Sequence, residues 1–234
     1  MVEASFDLEK NYTLKPLEQS NMSMVVFLSW AATIATVGFF FSGILTCKKI
    51  VVNASTENVP LLPFVTTFFN CLMWTSYGIL KDPALILVNV IGMLTQVAYM
   101  VCFFLYCKNK GKELGSIIYA AIAAACLYIY LMHLVTEEAT RVSHLGLLCA
   151  IVTIIMQASP LADVAKVIRT RSTESMPFPF SFMMVVVSFL WLCYGTVVND
   201  RNIQVPNASG VLLGLIQLSL FCVYPSKPST MSKM

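Results

Sequence analysis

Long apolar runs separated by short polar breaks dominate the chain. Seven stretches, at approximately 24–47, 60–80, 83–107, 114–135, 145–165, 176–198 and 202–224, are almost free of charge. Each is long enough to cross a bilayer core of about 30 Å, which takes about 20 helical residues. Asp163, near the end of the fifth, is the one charge inside them. The pattern predicts an all-α membrane protein with seven spans. A polar segment holding Glu3, Asp7, Glu9, Lys10, Lys15 and Glu18 precedes the first run. That run is too long for a signal-peptide core and is read as a retained helix.

The runs repeat. Shifting the chain on itself by 117 positions pairs Lys49 with Lys166, Ser55-Thr56-Glu57 with Ser172-Thr173-Glu174, and Trp74, Tyr77 and Gly78 with Trp191, Tyr194 and Gly195. One inserted residue moves the offset to 118, and Asp82, Asn89, Gly92, Phe103 and Tyr106 then pair with Asp200, Asn207, Gly210, Phe221 and Tyr224. Helices one to three therefore recur as helices five to seven. With an odd number of spans between them, both copies face the same way, and helix four is the inverting linker. The expected division is a tail over 1–23, a first repeat over 24–107, a linker with helix four over 108–144, a second repeat over 145–224 and a tail over 225–234.

Composition agrees, since 58% of residues are hydrophobic and 12% charged, against about 25% charged in a soluble domain. The net charge of +3 is distributed by side. Lys48, Lys49, Lys108, Lys110, Lys112, Lys166, Arg169, Arg171, Lys227 and Lys233 fall on one side, and Lys10, Lys15, Lys81, Arg141 and Arg201 on the other. Because basic residues are retained on the cytosolic side of short loops, the N-terminus is expected outside and the C-terminus in the cytosol. No basic stripe argues for nucleic acid. Eight cysteines lie in or beside apolar runs and are read as small packing residues. Of four Asn-x-Ser/Thr sequons, Asn11 alone is well placed outside for glycosylation.

The phrases "LLPFVTTFFNCLMWTSYGIL", "SPLADVAKVIRTRSTESMPF", "WLCYGTVVND" and "VPNASGVLLGLIQLSLF" resemble the SWEET (MtN3/saliva) family of sugar transporters, the animal branch in particular, over about residues 30–224. The resemblance implies a 3+1+3 arrangement of parallel repeats. Transporters of that kind, this family among them, place substrate near the midplane between repeats and expose it alternately by rocking.

A sugar that leaves water needs its hydroxyl hydrogen bonds replaced, and neutral amides both donate and accept without attracting ions. Asn89 and Asn207 occupy equivalent places in the third and seventh helices. Asn89, Gly92, Gln96 and Tyr99 share one helical face, as do Asn207, Gly210, Gly214 and Gln217. Periodicity alone equally fits helix-to-helix hydrogen bonding and close packing at Gly210 and Gly214; the resemblance implies that the paired asparagines bind sugar. It also implies that Trp191 and Trp74 border the sugar, with core packing as the alternative for both.

Further roles come from the resemblance. Pro63, Pro160 and Pro177 match three of four helix prolines that act as hinges at an inner gate, each removing a backbone hydrogen bond. Pro60 is the repeat partner of Pro177, but the spacing of Pro63 to Asn70-Cys71 fits the family better. Gly43 replaces the fourth proline, opposite Pro160. Tyr77, Lys81 and Asp200 match an extracellular latch. Asp163, one turn after Pro160, is a candidate inner-end contact; proton coupling is the sharper reading of an intramembrane acid, but its partner position holds Thr46.

His133 and His144 lack ligand spacing, so no metal is expected, nor any other cofactor. Without a Gly-x-x-x-x-Gly-Lys-Ser/Thr loop, ATP is not the expected energy source. A signalling receptor needs no internal repeat, and a retinal pump needs a lysine in helix seven, which has none between Arg201 and Lys227. The nearest rival is a proton-coupled amino-acid transporter of the same fold, which predicts charges in the pocket. The reading is a facilitative, bidirectional uniporter for a mono- or disaccharide, glucose foremost. Its expected setting is the lipid bilayer of the plasma membrane, with the Golgi as a second location, and the family implies homo-oligomers.

Overall fold

The computed structural model describes residues 2–57, 59–174 and 176–224, with side chains from Gln19 onward except at 20, 116, 132 and 158–160. Among them are nine α-helices: α1 (Val2–Phe40), α2 (Gly43–Asn53), α3 (Leu62–Leu80), α4 (Ala84–Tyr106), α5 (Lys110–Ile129), α6 (Glu138–Met156), α7 (Ala158–Thr170), α8 (Phe178–Val197) and α9 (Arg201–Val223). A π-helical turn, Tyr130–Leu134, follows α5. Asn11 lies in α1 by its backbone and its side chain is outside the described residues, as is the tail from 225.

Two expected spans are broken helices. The first breaks at Phe41-Ser42 between α1 and α2, and the fifth at Gln157 between α6 and α7. Counted as one passage each, they give seven helical passages, and six stretches are long and apolar enough to cross a membrane. The remaining passage, α3, has 19 residues, about 28 Å at 1.5 Å per residue. Thr66, Thr67, Asn70, Thr75 and Ser76 lower its hydropathy.

The prolines expected to bend helix interiors do not stand there. Pro63 lies in the first turn of α3, and Pro177 is the N-cap of α8. Pro160 is the third residue of α7. A missing N–H is harmless in a first turn, where the donor has no partner within the helix. Pro206, which the sequence did not single out, stands inside α9, past its first turn.

The Ser-Thr-Glu phrase marks a helix stop in both repeats. Ala54 after α2 and Arg171 after α7 take left-handed φ of 47° and 51°, conformations that end a helix. Ser55 Oγ then accepts the Glu57 N–H at 3.1 Å, and Ser172 Oγ the Glu174 N–H at 3.3 Å. These short turns satisfy backbone donors as the chain reverses. The residue inserted in the second repeat, Asn199, has φ 53°, which asparagine tolerates better than most side chains.

Packing has approximate twofold symmetry. In each repeat the first helix packs on the third, and the third on the second: α1 on α4 on α3, then α6 on α9 on α8. Between repeats, α1 meets α8 and α3 meets α6, one interface in two copies. The linker α5 contacts α3.

Buried residues form three clusters. One joins both repeats toward the Lys81 end and includes Ala32, Trp74, Tyr77, Leu85, Trp191, Tyr194 and Ile203. Toward the opposite end the core divides, with Ile50, Phe64 and Phe103 in the first repeat and Val164, Val167 and Leu220 in the second. A ring contact between Phe39 and Phe180, centroids 4.9 Å apart, crosses between repeats on that side.

Candidate functional site

Along α4, Gly92, Gln96 and Tyr99 are buried and Asn89 half-buried, whereas Leu94, Val101 and Leu105 are exposed. Along α9, Gly210, Gly214 and Gln217 are buried and Asn207 half-buried, with Leu212, Leu215 and Val223 exposed. In a membrane, exposed leucines and valines face lipid, so the polar face of each helix turns inward, as an amide in hydrocarbon demands. Asn89 Nδ2 donates to the Leu85 carbonyl at 2.8 Å, and Asn207 Nδ2 to the Ile203 carbonyl at 2.7 Å. Each bond occupies one amide hydrogen. The other hydrogen and Oδ1 remain available to a ligand hydroxyl.

Trp74 and Trp191 are buried and tie the two repeats together. Trp74 donates its indole N–H to Thr153 Oγ1 at 3.0 Å, and Trp191 to Thr36 Oγ1 at 2.9 Å. Thr36 and Thr153 are themselves repeat partners, so one bond is made twice in opposite senses. Thr153 passes its hydroxyl proton to Asn70 Oδ1 at 3.1 Å, and Thr36 to the Ala32 carbonyl at 2.7 Å.

One turn further along, the tyrosines repeat this exchange. Tyr77 donates to Asp200 Oδ2 at 2.7 Å, while Tyr194 reaches Asp82 Oδ1 at 2.9 Å and Oδ2 at 2.8 Å. Each tyrosine sits edge-on to the tryptophan of its own repeat, at 5.6 Å for Trp74–Tyr77 and 5.4 Å for Trp191–Tyr194. Such pairs contribute about 0.5–1.5 kcal/mol beyond area burial.

Among the described residues, the Tyr77 side alone carries an ion-paired cation. Lys81 Nζ lies 2.8 Å from Asp200 Oδ2 and donates to the Tyr77 hydroxyl at 3.0 Å, and Asn202 Nδ2 donates to the same hydroxyl at 3.2 Å. Asp200 is 3% exposed. Burial opposes the Lys81 charge, but hydrogen bonds to Asp200 and Tyr77 outweigh it and raise its pKa above the ordinary lysine value. A Cβ on Gly146 of α6 would collide with the Asn202 amide and come within 2.7 Å of Tyr77 Cε2. Glycine there lets α6 close against the latch.

At the break in the first helix, Tyr99 donates its hydroxyl to the Phe40 carbonyl at 3.0 Å. Gly43 makes room for that ring, because a Cβ would meet Tyr99 Cε2 and lie 2.9 Å from Cδ2 and Cζ. Asp163 is half-buried on α7, while Pro63 and Pro177 are exposed.

A family model described as a sugar efflux transporter for intercellular exchange matches residues 26–111 and again 143–229. The chain belongs to the SWEET family of sugar transporters. Among its SWEET relatives, the chain is 37% identical over 211 residues to the sugar transporter SWEET1 of Xenopus laevis, covering 89% of this chain and 97% of that one. To the mouse protein of the same name it is 39% identical over 203 residues, 85% and 90% of the two chains. A solved eukaryotic SWEET transporter superposes with a TM-score of 0.80 at 29% identity, over 86% of this chain and 97% of its own. That SWEET fold is the 3+1+3 arrangement, and the protein is a multi-pass membrane protein of a transporter family, not an enzyme.

The structure brings Tyr77, Lys81 and Asp200 together as the SWEET resemblance implied. Sequence reasoning did not single out Tyr194 with Asp82, Thr36 with Thr153, or Asn202. The repeat offset carried the first two signals, because a Tyr77–Asp200 contact in a twofold molecule requires a Tyr194–Asp82 contact. Nothing comparable marked Asn202.

Proposed function

We propose that the protein is a facilitative, bidirectional sugar uniporter, with glucose as the leading substrate, working by alternating access between its two three-helix repeats. The reading rests on one observation above others: between the repeats that carry the Asn89 and Asn207 half-sites, the Trp-to-Thr and Tyr-to-Asp bonds are each made twice, in opposite senses. Two half-sites so related face one shared space. Neutral amides return hydrogen bonds to sugar hydroxyls, and Trp74 and Trp191 offer flat apolar surface to the C–H face of the ring.

The Tyr77–Asp200–Lys81 and Tyr194–Asp82 contacts form the outer gate, held shut in this conformation. At the other end the divided core lets the repeats separate toward the cytosol once the Phe39–Phe180 ring contact parts, about the breaks at Phe41-Ser42 and Gln157, with Gly43, Pro63, Pro160 and Pro177 at the helix starts that swing. On this reading the N-terminus is outside, the repeats span 24–107 and 145–224 around a linker over 108–144, and Asn11 is glycosylated. The protein serves the plasma membrane and Golgi as a homo-oligomer. Asp163 acts as a helix-end contact, not a proton carrier.

The test is equilibration of labelled glucose into proteoliposomes without an ion or pH gradient, for the wild type, Asn89→Ala and Asn207→Ala. Saturable equilibration that an imposed pH gradient leaves unchanged, and that both folded variants lose, is the expected result. Amino-acid movement that needs a proton gradient, with none of glucose, would overturn it.

A further inference from the structure

The repeats are not equivalent where the first helix of each breaks. Phe40 and Gln157 are repeat partners, and both fit against the glycine one turn past the asparagine in the third helix of their own repeat. A Cβ on Gly92 would lie 2.8 Å from the Phe40 ring, and one on Gly210 would lie 3.2 Å from Gln157 Nε2. The first niche holds an aromatic ring. The second holds an amide, and that amide is bonded.

Gln157 Nε2 donates to the Pro206 carbonyl at 3.1 Å, and Gln157 Oε1 lies 2.8 Å from Ser209 Oγ, whose one hydrogen it shares with the Pro206 carbonyl at 2.7 Å. The two bonded residues flank Asn207. Pro206 also removes a donor from α9, since without an N–H it leaves the Asn202 carbonyl without its usual partner four residues on. The helix is thus weakened just before Asn207, and the side chain that holds the turn following the weak one comes from the break between α6 and α7. In the first repeat Phe40 has no side-chain amide to reach the Val88 carbonyl, and Ile91, at the position of Ser209, has no hydroxyl, so the tie has no counterpart.

The same stretch of α9 reaches the latch, where Asp200 and Asn202 hold the Tyr77 hydroxyl. Latch, half-site and helix break are therefore connected through ten consecutive residues, 200–209, in the second repeat; in the first, the polar bond to the break comes from Tyr99, farther along α4.

We infer that Gln157 is a positioning residue: its amide pins the Pro206–Ser209 turn of α9 to the break between α6 and α7, so that bending there moves Asn207. This rests on the proposed role of Asn207 as a sugar half-site. Substrate affinity and conformational change are then linked through the second repeat, with the first half-site comparatively passive.

The experiment compares wild type, Gln157→Leu and Gln157→Glu in full-length protein. Glucose exchange in proteoliposomes is measured at pH 7.5 and pH 5, and amide hydrogen exchange is followed across residues 207–211. Gln157→Leu keeps the bulk and loses both bonds; KM should rise about fivefold, and exchange at 207–211 should quicken. Gln157→Glu should fail similarly at pH 7.5, where a carboxylate repels the Pro206 carbonyl. It should recover toward wild type at pH 5, because burial beside the Pro206 carbonyl raises the carboxyl above its ordinary value of about 4.3, and the protonated group again offers one donor and one acceptor. A side chain that only fills space gives no such recovery. Wild-type kinetics in Gln157→Leu, or Gln157→Glu equally impaired at both pH values, overturns the inference. If the wild type carries no glucose, the transport reading fails, and the exchange arm alone decides whether Gln157 holds the turn.

Discussion

Trp191 in α8 donates its indole N–H to the hydroxyl of Thr36 in α1 at 2.9 Å, across 155 residues of sequence. Its repeat partner Trp74 does the same to Thr153 at 3.0 Å. A buried indole that spans two repeats has little freedom to satisfy its N–H elsewhere, so the threonine hydroxyl is a structural requirement as well as a wall of the site.

Thr36→Val and Thr153→Val should each leave a buried indole N–H without a partner while keeping the side chain's shape. The expected cost is about 1–3 kcal/mol per variant, read as a fall of about 2–10 °C in thermal unfolding in detergent. Near-equal losses are expected from the two; a large loss from one alone would mean that the symmetry of the bonds is not a symmetry of energies.

The latches should differ in strength. Tyr77 hydroxyl is bonded to Asp200, Lys81 and Asn202, whereas Tyr194 hydroxyl bonds to Asp82. Tyr77→Phe should raise labelling of a cysteine placed beside the latch by about tenfold, an equilibrium shift of about 1.4 kcal/mol. Tyr194→Phe should raise it less. Equal labelling of the two variants would count against an asymmetric gate.

Lys81 gives the latch an alkaline limit. Its folded pKa is raised by its bonds to Asp200 and Tyr77. The ion pair's contribution is therefore fully present below the unfolded lysine value of about 10.4 and is lost as pH rises through the folded value. Labelling at the latch, taken relative to an exposed cysteine of the same protein so that thiol ionisation cancels, should stay flat between about pH 7 and 9 and increase only above about pH 10.4 in the wild type. Lys81→Met should remove that alkaline rise; its persistence would point to another group.

Gly43→Ala should force Tyr99 away from the Phe40 carbonyl that it caps. Overpacking of this kind costs about 1–3 kcal/mol, and Gly43→Ala should unfold at lower temperature than the wild type. Gly38→Ala is the control, because a Cβ there meets nothing within 4 Å. Comparable unfolding temperatures for both variants would show that the Tyr99 contact does not govern the position.

Residue by residue, legibility followed the repeat. Asn89 with Asn207 and Trp74 with Trp191 stood out because two copies of one phrase align them, and the inward polar face of α4 and α9 followed from helical spacing. The helix positions of the hinge candidates were not legible, because a proline's effect depends on where its helix begins, and an apolar run carries no mark of that boundary. Pro63 stands in the first turn of α3 and Pro177 at the N-cap of α8, while Pro206, in "VPNASG", lies within a helix.

Hydrophobic length, charge asymmetry and internal repetition determined the seven helical passages and their pairing, because each is a local or periodic property that needs no knowledge of neighbours in space. Which side chains meet across the repeats was decided by tertiary structure alone. Thr36 against Trp191, Tyr194 against Asp82 and Gln157 against Pro206 and Ser209 are contacts between helices whose relative rotation is set by close packing at Gly43, Gly92, Gly146 and Gly210. A few degrees of helix rotation exchange one hydroxyl for another, and no pattern along a single helix records that angle.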